Sequence, residues 1–354
     1  MICVSIPDTI AWDPKKECIR YIDQTQLPEH LVIAECRTVK RLATAIRRLQ
    51  VRGAPALGVA GAFGVALAAL TCKKKGLAAF LADVRRHGDL LAATRPTAIN
   101  LSWGVNRVLA AMEQAKSISD AKRIALSEAQ AVAREDEVCC RAIGGYGAAL
   151  LPGTCTVLTH CNAGALACKA WGTALGVIRS AVRQGKDVRV IACETRPLLQ
   201  GARLTAWELE QEGIDVTVIT DSMGAHLMKQ ETIDMVIVGA DRITHDAVFN
   251  KIGTYMLAVC ARHHGIPFYV AAPLSTFDPD HSETDVVIEE RNRIEVATCG
   301  KRTTVPKGVK VRNPAFDATP MQLVTAVITE QGVLHPPIDM KDLRFGCPTT
   351  EYVN

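Results

Sequence analysis

Residues 188–221, VRVIACETRPLLQGARLTAWELEQEGIDVTVITD, indicate the fold class most directly. Two short apolar runs rich in β-branched residues, 188–193 and 216–220, flank a segment with helical spacing, 203–212. Largely apolar strands are covered on both faces of a sheet, and strands joined by helices run parallel. The stretch therefore predicts one strand–helix–strand unit of a parallel sheet.

The same alternation extends over the C-terminal half of the chain. Further short apolar runs occupy residues 155–159, 235–239 and 268–272, and helical spacing recurs over residues 223–229 and 252–263. Such alternation is typical of a parallel sheet with helices on both faces. We predict an α/β fold whose C-terminal domain is a doubly wound parallel sheet.

The N-terminal part has a different pattern. Residues 1–36 resemble short strands and turns, whereas helical spacing prevails over residues 38–150. Residues 116–144 predict one long helix, with capping residues in the sequence SISD at its start. We predict a smaller N-terminal domain of short strands and helices, residues 1–130, followed by the α/β domain, residues 131–354.

Composition narrows the class of protein. The 354 residues are 48% hydrophobic and 22% charged, with a net charge of +4, which is typical of a soluble globular protein and makes nucleic acid a poor expectation as a partner. The 13 cysteines are scattered without a C-x-x-C pair, so neither a zinc site nor a disulfide framework is predicted. The N-terminus lacks signal-peptide features, and we expect a cytoplasmic protein with reduced thiols.

Residues 53–72, GAPALGVAGAFGVALAALTC, carry no charge over about the length of a membrane span. They consist mostly of alanine and glycine and contain Pro55, and such residues gain little from insertion into lipid. We predict a helix packed tightly inside the protein and no membrane association.

Polar residues follow the predicted strands where each strand ends. In open parallel sheets, ligands bind beyond the carboxyl ends of the strands, so one crevice should receive Cys161, Glu194, Arg196, Asp221 and Asp241.

Each of these residues also has a structural interpretation. Asp221 is placed to cap a helix, and Glu194 and Arg196 are placed to pair with each other. Cys161 lies where the sequence predicts a helix start, which favours a thiolate, but cysteine is also a common core residue.

The sequence favours an anionic ligand over a dinucleotide. No strand is followed by G-x-G-x-x-G, and no Walker A motif is present. Arg52, Gly53 and Ala54 combine a cation with backbone suited to close approach just before a predicted helix, and Asn250 with Lys251 precede another. Arg95 is a further candidate for binding an anionic group.

Several long strings resemble the methylthioribose-1-phosphate isomerase family, the aldose 1-phosphate isomerase branch of the initiation-factor 2B-like superfamily. They run in the same order from Asp23 to beyond Pro320, nearly the whole chain. The strings are VRGAPALGVAGAFGVALA, RPTAINLSWGV, THCNAGALA, ETRPLLQGARLTAWEL, VGADRI, NKIGTY, GIPFYVAAPLSTFD, IEER and NPAFDATP.

The resemblance implies an aldose–ketose isomerase that converts 5-methylthioribose 1-phosphate to 5-methylthioribulose 1-phosphate in methionine salvage. It also implies a Rossmann-like α/β domain, a homodimer, and catalysis without a metal or cofactor. By motif, the catalytic pair is Cys161 of THCNAG and Asp241 of GADRI. The substrate-binding residues implied in the same way are Arg52, Gly53, Ala54, Arg95, Gln200, Asn250 and Lys251.

The chemistry accounts for these residue types. A sugar phosphorylated at C1 has no free aldehyde, so its ring oxygen must be protonated before the ring opens. Asp241 follows an apolar strand, where burial raises the pKa of a carboxyl and suits it to act as an acid. Cys161 is then either the base that removes the C2 proton or a group that stabilises hydride transfer from C2 to C1. Cys168 and the Cys139–Cys140 pair are interpreted as packing residues.

One departure leaves the substituent at C5 open. Many family members have Asn-Gly-Asp between GADRI and NKIGTY, whereas this chain has THDAVF, residues 244–249. His245 and Asp246 either replace the lost contacts or are loop residues, and we favour the second interpretation. The alternatives are 5-deoxyribose 1-phosphate or both substrates, ribose 1,5-bisphosphate, and a non-catalytic subunit like those of the nucleotide-exchange factor in translation initiation.

Overall fold

The computed structural model of the chain describes residues 6–95, 98–300 and 302–343. One hydrophobic core lies among the N-terminal strands and helices, and two more lie on the opposite faces of a central sheet. The predicted α/β class, with a smaller N-terminal part, is therefore confirmed.

The N-terminal part begins with an antiparallel three-stranded sheet and continues as a helical cluster. The strands are in the order β1-β2-β3, and each helix buries apolar residues in the first core. The elements are β1 (Ile10–Asp13), β2 (Cys18–Ile22), β3 (Ile33–Cys36), α1 (Val39–Arg47), α2 (Ala54–Thr71), α3 (Leu77–Ala92) and α4 (Ile99–Met112).

Helix α2 is the uncharged stretch of the sequence. Within the described chain it is the one helix long and apolar enough to cross a membrane, yet almost all of it is buried among α1, α3, α4 and the long helix that follows them, α5 (Ile118–Ala148). Small side chains let these helices approach closely on every side. The prediction of a tightly packed internal helix is confirmed.

Helix α5 links the two parts of the chain. Its N-cap is Ser117, whose hydroxyl accepts a hydrogen bond from the Asp120 amide at 3.1 Å, as the SISD sequence predicts. The helix runs unbroken through residue 130 and packs against α2 and α4 as well as the first helix of the sheet domain. Because one continuous helix spans the predicted boundary, the division at residue 130 stays a prediction.

The central sheet has seven strands in the order β15-β14-β10-β7-β4-β5-β6, all parallel except the edge strand β15. The strand order reverses between β4 and β7, as in dinucleotide-binding folds, and ligands bind at such a switch point. The strands are β4 (Thr154–Thr159), β5 (Asp187–Cys193), β6 (Val216–Ile219), β7 (Met235–Val238), β10 (Phe268–Ala271), β14 (Ala326–Thr329) and β15 (Gly332–Leu334).

Helices cover the sheet, and two small antiparallel sheets lie beside it. The strands β8, β9 and β13 form one of them, and β11 and β12 form the other. The helices are α6 (Ala174–Arg183), α7 (Ala206–Gln211), α8 (Gly224–Lys229), α9 (Thr254–His263) and α10 (Ile294–Ala297). The strands are β8 (Arg242–Ile243), β9 (Ala247–Lys251), β11 (Thr298–Cys299), β12 (Arg302–Thr303) and β13 (Phe316–Pro320).

The predicted strands match the observed ones to within a residue at each end. The helices differ more. The helix predicted from residue 203 begins inside a π turn, Gly201–Thr205, and the helix predicted from residue 252 begins after Gly253. Helix starts depend on local turns that apolar spacing does not reveal.

Candidate active site

A cavity of about 70 Å³ lies beyond the carboxyl ends of β4 and β7, at the switch point of the sheet. Cys161 follows β4 and Asp241 follows β7, and both line the cavity. The N-terminal part closes it with Arg52 and Arg95. The nine residues that the family resemblance implies for catalysis and substrate binding all line this cavity: Cys161, Asp241, Arg52, Gly53, Ala54, Arg95, Gln200, Asn250 and Lys251.

Cys161 lies in a left-handed turn, with φ of 63°. Its amide donates to the Thr195 hydroxyl at 2.8 Å, and its carbonyl accepts from the Thr205 hydroxyl at 2.7 Å. The predicted helix start at this position is wrong, because α6 begins only at Ala174. A helix dipole therefore does not favour the thiolate.

The pKa of the Cys161 thiol is raised above its usual value by burial. The positive charges of Arg52 and Lys251 oppose that rise, and the negative charge of Asp241 adds to it. The neighbouring cations favour the thiolate form, but they do not outweigh the effect of burial.

The segment after Cys161 is held by Glu208, which is fully buried on α7. Its carboxylate accepts hydrogen bonds from the Asn162 side chain at 2.9 Å and from the amides of Ala165 and Leu166 at 2.8 and 3.0 Å. It also pairs with Arg179 at 2.6 Å. Glu208 therefore sets the conformation of the backbone that carries Cys161 and Asn162.

Glu208 was not predicted from the sequence, because a glutamate in a helical segment normally faces solvent. Gly164 is the one residue near Cys161 whose identity reflects the presence of Glu208, and this relationship is recognisable only in the structure. A Cβ at Gly164 would lie 2.2 Å from the Glu208 carboxylate, so this position admits no larger residue.

Arg52 joins the N-terminal part to the segment after Cys161. Its Nη2 donates to the backbone and side-chain oxygens of Asn162, at 2.9 and 2.7 Å, and its Nε has no partner among the described residues. Gly53 follows with φ of 89°, and a Cβ there would lie 2.4 Å from the Ala167 Cα. A cation beside the start of a helix is an arrangement that favours anions, so Arg52 and the start of α2 are a candidate anion-binding site.

Asp241 is a candidate acid. Its amide donates to the Phe249 carbonyl at 2.8 Å, which fixes the turn after β7. Burial raises the pKa of the Asp241 carboxyl, and the charges of Arg95, Lys251 and Arg52 oppose the rise. The carboxyl thus stays protonated to a higher pH than an exposed aspartate does.

Asn250 and Lys251 end strand β9 and precede α9 as expected, although α9 begins at Thr254 instead of residue 252. Both are buried, and burial lowers the pKa of the Lys251 amine. The amine lies 5.3 Å from the centre of the Phe316 ring. Both residues line the cavity.

Arg95, Arg291 and Gln200 are further polar residues of the lining. Arg95 pairs with Glu289 at 3.4 Å, and Arg291, which the sequence analysis did not single out, pairs with the same carboxylate at 2.8 Å. Gln200 precedes the π turn, and its Oε1 has no partner among the described residues. Arg291 belongs to the string IEER, which was the available signal for it.

Glu194, Arg196 and Asp221 are not among the described residues that line the cavity, so their predicted place in it is wrong. Asp221 accepts from the amides of Thr195 and Arg196, both at 2.7 Å, instead of capping a helix. Arg196 donates to backbone carbonyls, among them that of Val296 at 3.0 Å, instead of pairing with Glu194. Strand order explains why these residues lie outside the cavity. Glu194 and Arg196 follow β5 and Asp221 follows β6, and both strands lie on the same side of the switch point between β4 and β7.

His160 lines the cavity beside Cys161 but forms no ion pair with it. Its Nε2 lies 2.8 Å from the Ile252 carbonyl, so Nε2 carries the proton. Burial lowers the pKa of His160, which keeps the ring neutral. We interpret it as a residue that supports the turn before α9.

Two groups of side chains bring metal-ligand atoms within 4.8 Å of one another: Asp136, Cys140 and Cys168, and His160, Cys193 and Asp221. Both carboxylates already accept backbone amides, at 2.6 Å for Asp136 and 2.7 Å for Asp221. The pKa of Cys193 is raised to about 12 by burial, and that of Cys140 is raised by its hydrogen bond with Cys168 and by burial. Because the thiolate is the form of cysteine that binds a metal, these raised pKa values disfavour metal binding by either group.

Two other predictions concern residues that were not assigned a role in the reaction, Cys168 and the THDAVF segment. Cys168 is not on a helix but follows a short 3₁₀ turn, Ala165–Ala167; it lines the cavity and forms a hydrogen bond with Cys140. In the THDAVF segment, Asp246 accepts from the Thr244 hydroxyl at 2.8 Å and from the Glu283 amide. His245 and Asp246 do not line the cavity, in agreement with their interpretation as loop residues.

Comparison with known proteins identifies relatives over almost the whole chain. Residues 50–336 match the Initiation factor 2 subunit family. The chain is 56% identical over 340 residues to a putative methylthioribose-1-phosphate isomerase of Archaeoglobus fulgidus, covering 95% of this chain and 99% of that one. It is 52% identical over 323 residues to a 5-deoxyribose 1-phosphate isomerase of Moorella thermoacetica, covering 90% and 92%.

Solved structures agree with this match, although their descriptions differ. The 5-methylthioribose 1-phosphate isomerase of Pyrococcus horikoshii OT3 superposes with a TM-score of 0.87 at 43% identity, covering 95% of this chain and 94% of that one. An A. fulgidus protein described as translation initiation factor eIF-2B, subunit delta, superposes with a TM-score of 0.84 at 56% identity, covering 94% and 97%. The resemblance inferred from the sequence is confirmed: the chain belongs to the initiation factor 2 subunit family, on the branch that contains the methylthioribose-1-phosphate isomerases.

Proposed function

We propose that this protein is an aldose–ketose isomerase that converts 5-methylthioribose 1-phosphate to 5-methylthioribulose 1-phosphate in methionine salvage. The observation that carries this proposal is the placement of Cys161 and Asp241 on either side of the switch point, inside one cavity. A half-buried acid and a half-buried thiol lining the same small space suit proton or hydride transfer within one molecule.

The phosphate group binds at the start of α2. The amides of Gly53 and Ala54 and the free Nε of Arg52 supply donors, and Lys251 adds a nearby positive charge. Helix N-termini with an adjacent cation favour phosphate. Gln200, Arg95 and Asn250 then contact the sugar and its phosphate from the other walls of the cavity.

Asp241 acts as the acid. It protonates the ring oxygen while the bond from that oxygen to C1 breaks, which leaves a cation at C1 that is stabilised by the phosphate ester oxygen. The raised pKa of its buried carboxyl keeps the required proton available. The Asp241 carboxylate later recovers a proton from the C2 hydroxyl as the ketone forms.

Cys161 serves in one of two balanced routes. In the first, its thiolate takes the C2 proton to give an enol phosphate and returns a proton to C1. In the second, hydride moves from C2 to C1, and the sulfur stabilises the cationic state. Both routes convert aldose to ketose with no net gain or loss of protons, and both need Cys161 beside the sugar.

The second candidate function differs from the first only in the substituent at C5 of the sugar phosphate. The identity of 52% to a 5-deoxyribose 1-phosphate isomerase favours turnover of that sugar phosphate by the same residues. Ribose 1,5-bisphosphate and a regulatory role without catalysis are the remaining alternatives. The Cys161 and Asp241 pair supports an enzyme over a regulatory subunit.

We propose a homodimer in the cytoplasm as the working state. Helix α9 exposes Tyr255, Met256 and Val259, each more than 40% accessible, and Met223 is exposed as well. Exposed apolar groups of this kind are common at interfaces between subunits. Light scattering at several protein concentrations tests the dimer.

The decisive experiment measures turnover of 5-methylthioribose 1-phosphate, 5-deoxyribose 1-phosphate and ribose 1,5-bisphosphate by the purified protein, with Cys161→Ala as control. We expect rapid conversion of the first substrate and its loss in the variant. Preference for the second would reassign the substrate within the same chemistry. No conversion of any of the three would contradict the enzyme and favour a regulatory protein.

A further inference from the structure

A second, larger cavity of about 630 Å³ lies between the N-terminal helices and the sheet. Helices α2, α4 and α5 form one side, and the segment after β10 forms the other. It adjoins the candidate active site, because Pro55 and Pro273 line both cavities. Small-molecule sites commonly have volumes of about 300–1,000 Å³ and lie between domains.

The walls of this second cavity are mainly apolar. Val59 and Val132 come from the helices, and Phe277 comes from the segment after β10. Trp103 adds a half-exposed aromatic ring. A ligand that fills the space must therefore present a substantial apolar body.

The charges on the walls are predominantly negative. Arg107, the one cation among the described lining residues, is held by Glu135 at 2.8 Å and by Glu128 at 2.7 Å. Two further carboxylates, those of Asp136 and Glu330, line the cavity. An anionic sugar phosphate is thus disfavoured here, which separates this cavity from the proposed active site.

One residue of the cavity lining, Asn100, has a hydrogen-bond acceptor that is not used within the described structure. Asn100 is buried to 1% exposure, and its amide nitrogen donates to the Ser275 hydroxyl at 3.1 Å. Its Oδ1 has no partner among the described residues. A buried carbonyl oxygen without a donor costs stability, so a ligand that brings an N–H group to this wall has a specific partner.

The carboxyl groups of Asp136 and Glu330 each accept a backbone amide, which satisfies part of their hydrogen-bonding capacity without a cation. Asp136 accepts the Lys169 amide at 2.6 Å, and Glu330 accepts the Leu274 amide at 3.0 Å. Burial raises the pKa of Asp136 to about 7 and that of Glu330 to about 6. A positive charge placed between them would stabilise both carboxylates.

From the shape, charge and open acceptor of this cavity, we propose that it binds a small organic amine, protonated at nitrogen, on an apolar aliphatic or aromatic body. The ammonium group lies against Asp136 and Glu330 and donates a hydrogen bond to Asn100. The apolar body packs on Val59 and Phe277.

The test is calorimetric titration of the protein with phenethylamine at pH 8, where both carboxyls are ionised. The matched probes are 3-phenylpropionate and 2-phenylethanol, which keep the ring but carry a negative or no charge. We expect phenethylamine to bind at least tenfold more tightly than either probe. Equal affinity for the amine and the acid would overturn the proposal.

Three substitutions locate the site. Glu330→Gln and Asp136→Asn should each weaken phenethylamine binding about tenfold, whereas Glu113→Gln, an exposed glutamate paired with Arg85, should not. Val132→Phe fills the cavity without changing its charge and should abolish binding. Circular dichroism verifies that each variant folds, and unaltered binding by the folded Val132→Phe protein would also overturn the proposal.

Discussion

Arg52 donates from one guanidinium nitrogen to both oxygens of Asn162, at 2.9 Å to the backbone carbonyl and 2.7 Å to the side chain. The two residues are 110 positions apart in the chain and belong to its two parts. Their contact joins the start of α2 to the turn that carries Cys161, so the anion-binding site and the reactive thiol are positioned together.

Replacing either proposed catalytic residue should abolish turnover while leaving the fold intact. General acid–base groups contribute about 10²- to 10⁴-fold to rate, so Cys161→Ala and Asp241→Asn should lower kcat by at least that order. Steady-state kinetics on 5-methylthioribose 1-phosphate measures the loss. Cys260→Ala, a change on α9 away from the cavity, is the matched control. Near-full activity in either variant would contradict the assignment.

Glu208→Gln should impair both stability and catalysis. The change leaves the buried Arg179 without its full counter-charge, and removing one partner of a buried ion pair costs about 3–5 kcal/mol. The backbone after Cys161 also loses acceptors, so kcat should fall further than KM rises. Urea unfolding and steady-state kinetics measure the two effects. Glu212→Gln, which changes the more exposed partner of Arg179, should be milder, and equal effects would argue against a positioning role for Glu208.

Isotope exchange separates the two chemical routes. Burial raises the pKa of the Cys161 thiol, which leaves little thiolate to remove a proton from carbon and favours hydride transfer. In D₂O we therefore expect the ketose product to carry no deuterium at C1. Proton magnetic resonance of the product gives the answer. Substantial deuterium at C1 would instead establish the enol phosphate route.

Stability should fall as pH rises from about 4 to 7, partly because of Asp136. Its pKa is about 7 in the folded protein against an ordinary value of 3.8, so the unfolded chain binds fewer protons throughout that window. Fewer bound protons in the unfolded state mean that the free energy of unfolding decreases as pH increases. Asp136→Asn should flatten this dependence in urea titrations between pH 4 and 8. An unchanged slope would show that Asp136 does not titrate in this way.

The periodicity of the sequence was sufficient to predict five of the seven strands of the central sheet, namely β4, β5, β6, β7 and β10, but not β14 or β15. Continuous apolar strands such as β7, buried along its whole length, are recognisable because both faces contact helices. Local turns were less predictable. The left-handed turn at Cys161 and the π turn before α7 follow from tertiary hydrogen bonds, among them those to Thr195 and Thr205, which have no signature in local spacing.

The site residues likewise divide into those that the sequence predicted and those that only the structure revealed. Cys161 and Asp241 were identifiable because each follows a strand and lies in a family string. Glu208 was not, since a carboxylate on a helix looks like a solvated charge until the amides that it accepts are known. Asp221 and Arg196 were wrongly placed in the cavity because they too follow strands.

The sequence by itself determined that this protein alternates strands and helices, and that polar residues stand at the strand ends. Only the tertiary structure decided which of those ends face each other. Strand order depends on contacts between residues far apart in the chain, and the placement of β4 beside β7 brings Cys161 and Asp241 together. The same order leaves Asp221, after β6, to support the neighbouring turn instead of the cavity.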